Sequence, residues 1–368
     1  MAATHTVTQP PTVSVIVPAR NEEASLADCL QSLVAQAGVD FEILVVDDHS
    51  TDRTHEIAFS FAGVRVIEPG PLPHGWTGKN NAVAAGARES RGEWLLFTDA
   101  DTVHLPGSLA RALSEARENG AEMLSYSPEQ IAVSLWEMAT LPVVFAELAR
   151  QYPPAKVSNP TSPIAAANGQ YILIRRAAYD AVGGHAAIAG DLLEDVALAR
   201  AVKQSGRKIL FRYGGDAVRT RMYRNWSQLR EGWTKNLALL FPRPGRLAAK
   251  TLLWWAIPWI ALLWPVAMLV GAGVTSHSES LAGVHGLFLV LGGAVKHWWW
   301  IAVVVLGFMR NTARLRRANF DSAMEFLGAL FGMPIFAYLL LRSRFYSQKG
   351  EVRWKGRIYP SSAGLPVA

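Results

Sequence analysis

Between Val13 and Tyr126 the chain alternates short apolar runs with stretches of helical spacing, and this alternation constrains the fold more than any other feature. Val13–Val17, Phe41–Val46, Val64–Ile67, Trp94–Phe97 and Met123–Tyr126 read as strands. Glu22–Gln36, Asp52–Phe61, Gly78–Arg91 and Leu105–Asn119 read as the helices between them, and Tyr171–Ile174 resumes the strand pattern. Strands joined by helical crossovers pair in parallel, so the pattern predicts an α/β fold: a mostly parallel sheet flanked by helices. Ligands bind such sheets at the carboxyl ends of the strands. The polar residues that follow each strand are therefore the candidates for chemistry.

Four constellations stand out. Pro18-Ala19-Arg20-Asn21-Glu22 closes the first strand in a turn of the kind that can wrap a base and a ribose. Asp47-Asp48 ends the second strand, and Ser50-Thr51-Asp52 behind it supplies residues that cap a helix. Asp99-Ala100-Asp101 follows the fourth strand; two acids at i and i+2 in a loop can turn toward one hard divalent cation, Mg²⁺ or Mn²⁺. Such an ion neutralises a diphosphate leaving group. Glu194-Asp195 opens an apolar helical run, where Asp195 fits a general base and both acids also suit a helix N-terminus. Gly75-Trp76-Thr77-Gly78-Lys79-Asn80 imitates a phosphate-binding loop, but Pro73 stands where the first glycine belongs and Asn80 where Ser or Thr is required. A nucleotide kinase or ATPase is thereby excluded, while Lys79 remains placed to meet a phosphate beside a helix start.

The ordered set Pro18-Ala19-Arg20-Asn21-Glu22, Asp47-Asp48, Gly78-Lys79, Asp99-Ala100-Asp101 and Glu194-Asp195 resembles glycosyltransferase family 2, over roughly residues 13–240. Asn168-Gly169-Gln170-Tyr171, Arg221-Met222-Tyr223, Gly232-Trp233-Thr234-Lys235-Asn236 and Trp354-Lys355-Gly356-Arg357-Ile358-Tyr359 resemble its membrane-bound bacterial branch associated with hopanoid and carotenoid glycosylation. The resemblance implies a GT-A fold and inverting, metal-dependent transfer, often from a UDP-sugar. It implies donor binding by Pro18, Arg20, Glu22, Asp47, Asp48, Lys79 and Asp99, and a metal held by Asp101 with Asp99. It implies a base, Asp195, oriented by Glu194, and an acceptor or diphosphate side at Gly169, Arg221, Gln228 and Trp233. Processive relatives carry Gln-x-x-Arg-Trp; here Gln228-Leu229-Arg230-Glu231-Gly232-Trp233 breaks that spacing, which argues against polymer synthesis. A polyprenyl-phosphate sugar synthase is the alternative, with Arg219, Arg221 and Arg224 available to a phosphate.

The last third differs in kind. Half of all residues are hydrophobic, and the excess sits here. Thr251–Gly273 holds no charge for 23 positions, long enough to cross a bilayer. Leu281–Met309 is a second apolar stretch, interrupted by Lys296 and His297, and Ala323–Leu341 a third, with Gly332-Met333-Pro334 in its middle. Met222–Phe241 carries Trp226, Leu229, Trp233 and Leu237 at helical spacing with basic residues between them, as an interfacial helix does. Ile131–Leu148 reads either as a helix on the bilayer surface or as a buried core helix. Twelve Lys and Arg against two acids from Lys203 to Lys250 place a basic surface beside these spans, which suits a cytoplasmic membrane face and no nucleic acid.

The expected plan is a flexible N-terminus over 1–12, a glycosyltransferase domain over 13–240 (with 222–241 interfacial), a membrane region over 249–342 and a basic cytoplasmic tail over 343–368. Met1–Thr12 lacks an apolar core, so no signal peptide is expected. The catalytic domain is expected in the cytoplasm, with a nucleotide sugar and a membrane lipid as its partners. Arg342, Arg344, Lys349, Arg353, Lys355 and Arg357 face the single acid Glu351, which predicts an internal tail and an even number of crossings. Ala323–Leu341 is then expected to bend at Gly332-Met333-Pro334 and to re-enter or lie shallow. Cys29, the one cysteine, sits in an apolar helical pattern and reads as core.

Overall fold

A computed structural model describes residues 10–275, 299–354 and 356–360. Residues 1–9, most of the stretch Leu281–Met309 and the end of the tail lie outside the described residues. The chain divides into two compact units: residues 10–131 with Tyr152–Arg224, and Ala132–Gln151 with the chain from Asn225 onward.

The first unit is built on a seven-stranded sheet. Its elements run β1 (Val13–Ala19), α1 (Leu26–Val34), β2 (Phe41–Asp47), α2 (Thr54–Phe59), β3 (Val64–Ile67), α3 (Gly78–Glu89), β4 (Trp94–Phe97), β5 (Thr102–His104), α4 (Ser108–Glu118), β6 (Met123–Ser127) and β7 (Glu129–Gln130). After an excursion into the second unit through α5 (Leu135–Gln151) it continues with α6 (Pro154–Ser158), β8 (Ile172–Arg175), α7 (Arg176–Ala181), α8 (Glu194–Gln204), β9 (Ile209–Tyr213) and β10 (Val218–Thr220). The strand order is β3-β2-β1-β4-β8-β6-β9. The β1–β2, β2–β3, β1–β4 and β6–β9 pairs are parallel, and β8 runs antiparallel between β4 and β6. The mostly parallel sheet expected from the sequence is present. β5, β10 and β7 form a second, three-stranded sheet that the apolar pattern did not suggest.

Packing explains the local choices. β1 is buried along Val13, Val15, Ile16 and Val17, as a central parallel strand covered on both faces must be. α1 turns Leu26, Cys29, Leu30 and Leu33 inward at i, i+3, i+4 and i+7, and Cys29 is core as expected. α3 lies so close to the sheet that a methyl group at Gly86 would come within 2.5 Å of Ile16 and 2.9 Å of Val46.

The second unit is helical. α5 packs with α9 (Trp226–Leu240), the helix Trp299–Leu315 and a helical run from Ser322 to Gln348, and α10 (Pro244–Thr275) packs with the last two. Buried Glu147 of α5 accepts from Arg150 Nε at 2.9 Å and from Arg314 Nε at 2.7 Å. Trp255 Nε1 donates to the Leu330 carbonyl at 2.8 Å, and Asn311 Nδ2 to the Trp254 carbonyl at 3.2 Å. A methyl group at Gly332 would collide with the carbonyl of Ala139. Ser322–Gln348 does not turn back at Gly332-Met333-Pro334. Gly328–Gly332 forms a π-helical turn, the Leu330 carbonyl that Pro334 cannot serve accepts instead from Trp255 Nε1, and the helix carries on to Gln348. Pro244–Trp264 and Ser322–Gln348 are both long and apolar enough to cross a membrane by length and composition, but the first is 17% buried within the protein and the second 56%.

Because α3 must stay close to β1 for its first turn to reach the strand ends, Gly86→Ala should cost about 1–3 kcal/mol, the usual effect of overpacking. Chemical denaturation of the purified protein measures it, and an unchanged midpoint would contradict this packing.

Candidate active site

The site grows from the carboxyl ends of β1, β2 and β4. Beyond β1 and β2 two loops are stitched together. Asn21, in left-handed conformation, accepts from the Thr51 amide at 2.9 Å and donates its own amide to Ser50 Oγ at 3.1 Å. The Glu22 amide donates to Thr54 Oγ1 at 2.7 Å, and Asp52, just ahead of α2, accepts from the Thr54 amide at 3.0 Å. Arg20 Nη1 donates to the Asp48 carbonyl at 2.6 Å and lies 3.7 Å from the Asp48 carboxylate. Pro18 lies within β1 and precedes this turn.

Asp47 departs from the sequence reading. Capping was expected to account for Ser50 to Asp52 and not for Asp47. Yet its Oδ1 accepts from the Ser50 amide at 3.0 Å and its Oδ2 lies 3.2 Å from His55 Nδ1. Asp47 therefore holds the loop, while the carboxylate of Asp48 beside it lies 3.7 Å from Arg20 Nη1.

The second cluster centres on Lys79. Thr77 caps α3 through the Asn80 amide at 3.1 Å, and the Thr77 amide donates to the Ala189 carbonyl at 2.9 Å. Asn80 Nδ2 reaches the carbonyls of Ile188 and Ala189, both at 2.9 Å. The Gly75-to-Asn80 stretch is thus a clamp on the segment that leads into Glu194-Asp195. It sets Lys79 between two acids: Nζ is 2.7 Å from Asp99 Oδ1 and 2.7 Å from Glu194 Oε1. Burial pulls the Lys79 ammonium down, but Asp99 and Glu194 outweigh it and hold the group well above the usual lysine range. Gly169 makes the approach possible, since a methyl group there would come within 3.2 Å of Lys79 Nζ and 3.4 Å of Glu194 Oε1.

Asp195 is held by backbone donors. The Gly169 amide reaches its Oδ2 at 3.1 Å and the Val196 amide its Oδ1 at 2.8 Å. Burial and the neighbouring Glu194 charge push its carboxyl up to about 6, against the opposing pull of Lys79 and the two amides. Burial, with the charges of Asp101, Asp99 and Glu22, pushes the Cys29 thiol up. Asp101 fixes its backbone through its carbonyl, which accepts from Thr220 Oγ1 at 3.2 Å.

Lys79, Asp99, Gly169, Glu194 and Asp195 therefore form one cluster, and Arg20, Glu22, Asp47 and Asp48 a second at the neighbouring strand ends. Arg221 follows β10 in the same unit. Gln228 and Trp233 belong to the second unit: Gln228 is exposed in the first turn of α9, and Trp233 is buried with its ring 6.1 Å from Phe145 in an edge-on contact. The residues missed from sequence are Thr98, His104 and Thr220, which carry buried hydrogen bonds behind the acids. No local pattern marks them, because their partners lie far away in the chain.

Residues 14–183 match the family model described as Glycosyl transferase family 2. This stretch is a family 2 glycosyltransferase domain. The chain is 27% identical over 361 residues to 4,4'-diaponeurosporenoate glycosyltransferase of Staphylococcus aureus (strain MRSA252), covering 95% of this chain and 88% of that one. With the protein of the same name from strain USA300 the match is 27% over 234 residues, and there it spans only 60% of the relative. Among solved structures, a mannosyltransferase from Pyrobaculum calidifontis in complex with GDP-Man and Mn²⁺ superposes with a TM-score of 0.51 at 15% identity, over 92% of this chain and 87% of that one. The fold is GT-A, and the chain is a glycosyltransferase.

Removing the central cation should destabilise this glycosyltransferase. Lys79→Met leaves Asp99 and Glu194 facing each other without their counter-ion. The expected cost is about 1–2 kcal/mol, after allowance for the exposed third of the lysine side chain. Urea denaturation reads it, and an unchanged midpoint would mean that the two ion pairs contribute nothing.

Proposed function

We propose that this enzyme transfers a sugar from a nucleotide sugar, a UDP-sugar by the resemblance of its motifs, to an alcohol or carboxylate of an apolar membrane lipid of carotenoid or hopanoid type, with inversion. The observation that carries the reading is the Lys79 cluster. It draws a donor-side acid, Asp99, and the base-side pair, Glu194 and Asp195, into one ion-paired group. The Staphylococcus aureus relative is named for 4,4'-diaponeurosporenoate, a carboxylate, which supports a carotenoid-type acceptor here.

In this mechanism Asp48 and Arg20 face the nucleoside, and Lys79 meets the diphosphate. Where the acceptor is an alcohol, Asp195 takes the proton from its hydroxyl. The acceptor oxygen bonds to the anomeric carbon as the bond from that carbon to the diphosphate breaks, and the nucleoside diphosphate leaves. Among the described residues no group of three or more His, Cys, Asp or Glu forms a cage for a metal. Two aspartates of one loop nevertheless suit Mg²⁺ or Mn²⁺ when substrate phosphates and water fill the remaining positions. Asp101 and Asp99 would hold the ion, which would neutralise charge on the leaving diphosphate. Gly169, Arg221, Gln228 and Trp233 stay assigned to the acceptor or diphosphate side. A phosphate acceptor gains no support from Arg219, which is already paired with Glu129 at 2.6 Å.

Asp101→Ala should abolish transfer and leave the fold intact; near-normal activity of the purified variant would remove the metal role. Asp195→Asn should lower kcat by roughly 10²–10⁴ while donor affinity holds. The wild-type rate should fall as pH drops through about 6, because the base works only when ionised and its carboxyl is pushed up to about 6 by burial and Glu194. A collapse of donor binding in Asp195→Asn would place the residue in the donor site instead. A carboxylate or phosphate acceptor arrives ionised, so a small effect would point to one of those. Mass spectrometry of lipid extracts from cells with and without the gene identifies the product.

We place the enzyme in the cell membrane with its catalytic unit and tail on the cytoplasmic side. The burial of Ser322–Gln348 and its backbone contact with α5 support two crossings rather than three. Ser347→Cys in a Cys29→Ser background should resist a membrane-impermeant thiol reagent in intact cells and react after permeabilisation. Labelling from outside would overturn the two-crossing arrangement.

A further inference from the structure

Behind the acids runs a buried chain of hydrogen bonds whose direction is fixed at every link. His104 is buried, and burial pulls its imidazole down to about 3, so the ring is neutral. Thr98 Oγ1 donates to the Gln170 carbonyl at 2.8 Å, so it must accept from His104 Nε2 at 3.1 Å. Thr220 Oγ1 donates to the Asp101 carbonyl at 3.2 Å, so it must accept from Gln170 Nε2, also at 3.2 Å. That requirement fixes the orientation of the Gln170 amide, whose oxygen could not serve at this position. Gln170 is 4% exposed.

The turn that carries Gln170 also carries Gly169, whose amide donates to Asp195. Asn168 rigidifies it: Asn168 Oδ1 accepts from the Gln170 amide at 3.0 Å, and the Asn168 carbonyl accepts from the Tyr171 amide at 3.0 Å. Ser125 Oγ on β6 accepts from the Asn168 amide at 2.8 Å. One short turn therefore grips Asp195 through Gly169 and the Asp101 backbone through Gln170 and Thr220.

We propose that Gln170 is a positioning residue: with Thr220 it fixes the distance between the loop of Asp101 and the carboxylate of Asp195. The proposal rests on the roles given above to those two acids. It adds a requirement that neither acid shows alone, that their separation is set by a buried amide–hydroxyl pair from two other elements. Inverting transfer needs the leaving group and the base on opposite sides of one carbon, so a shift of about 1 Å in either is enough to cost on the order of 10²-fold.

The test uses the full chain in detergent. Gln170→Met keeps the length and removes the donor; Thr220→Val keeps the shape and removes the hydroxyl; Thr220→Ser restores it. Gln170→Met and Thr220→Val should each lower kcat by about 10–100-fold. Thr220→Ser should stay near wild type, and the double variant should lose no more than either single one, because both cut the same link. Mn²⁺ binding in the presence of UDP, read by electron paramagnetic resonance without turnover, should weaken in both variants. Thr220→Val also serves should Gln170→Met fail to fold. Wild-type kcat and unchanged Mn²⁺ binding in Gln170→Met and Thr220→Val, beside inactive Asp101→Ala and Asp195→Asn, would overturn this inference alone. Additive losses in the double variant would overturn it as well. Active Asp101→Ala and Asp195→Asn would instead overturn the function on which it rests.

Discussion

One ammonium group between two carboxylates organises the catalytic unit. Lys79 comes from the first turn of a helix, Asp99 from the end of a central strand and Glu194 from the start of another helix. Like charges at this separation would repel, and the cation turns that repulsion into a three-way tie. The rest of the unit serves the same end. Gly86 lets the helix lie flat on the sheet, Thr77 and Asn80 hold its first turn against the 188–191 segment, and Gly169 leaves room for the lysine head.

The loops beyond β1 and β2 follow a different principle. Around Asp47 and Asp48, order comes from many short hydrogen bonds between two adjacent loops rather than from one strong charge.

Much of this was legible in the sequence, for identifiable reasons. The strands β1, β2 and β4 are buried on both faces, so each reads as an unbroken apolar run, and the acids behind them follow directly. Asp99, Glu194 and Lys79 were all candidates, but nothing in their spacing says that they touch, since Lys79 and Glu194 are distant in sequence. β5, β7 and β10 have two or three residues each, too few to show a period. The Gln170–Thr220 pair joins residues 50 apart and leaves no local trace. The proline in the last helical run was read as a break; the π turn before it, which keeps the helix going, depends on backbone register and has no simple residue signature. Asp47 was read on the donor side because an acid after a strand fits that role; its part in holding the loop depends on the positions of Ser50 and His55 and shows in no local pattern.

The excursion of α5 has a consequence for how the protein is made. Residues 132–151 sit inside the catalytic stretch of the gene, yet the helix they form is completed by partners encoded much later: Arg314 follows Glu147 by 167 positions. At ordinary synthesis rates of about 5–20 residues per second, the ribosome needs roughly 8–30 s to supply that arginine. Over this interval the nascent helix has Arg150 beside Glu147, but not the arginine that completes its pairing. The chain must also return from α5 to lay β8 between β4 and β6 before the sheet can close. Biogenesis is therefore obliged to hold an apolar helix in waiting while the domain around it folds. A chain cut after Arg224 would strand that helix permanently, so the catalytic unit can be isolated cleanly only by removing 132–151 together with the C-terminal helices.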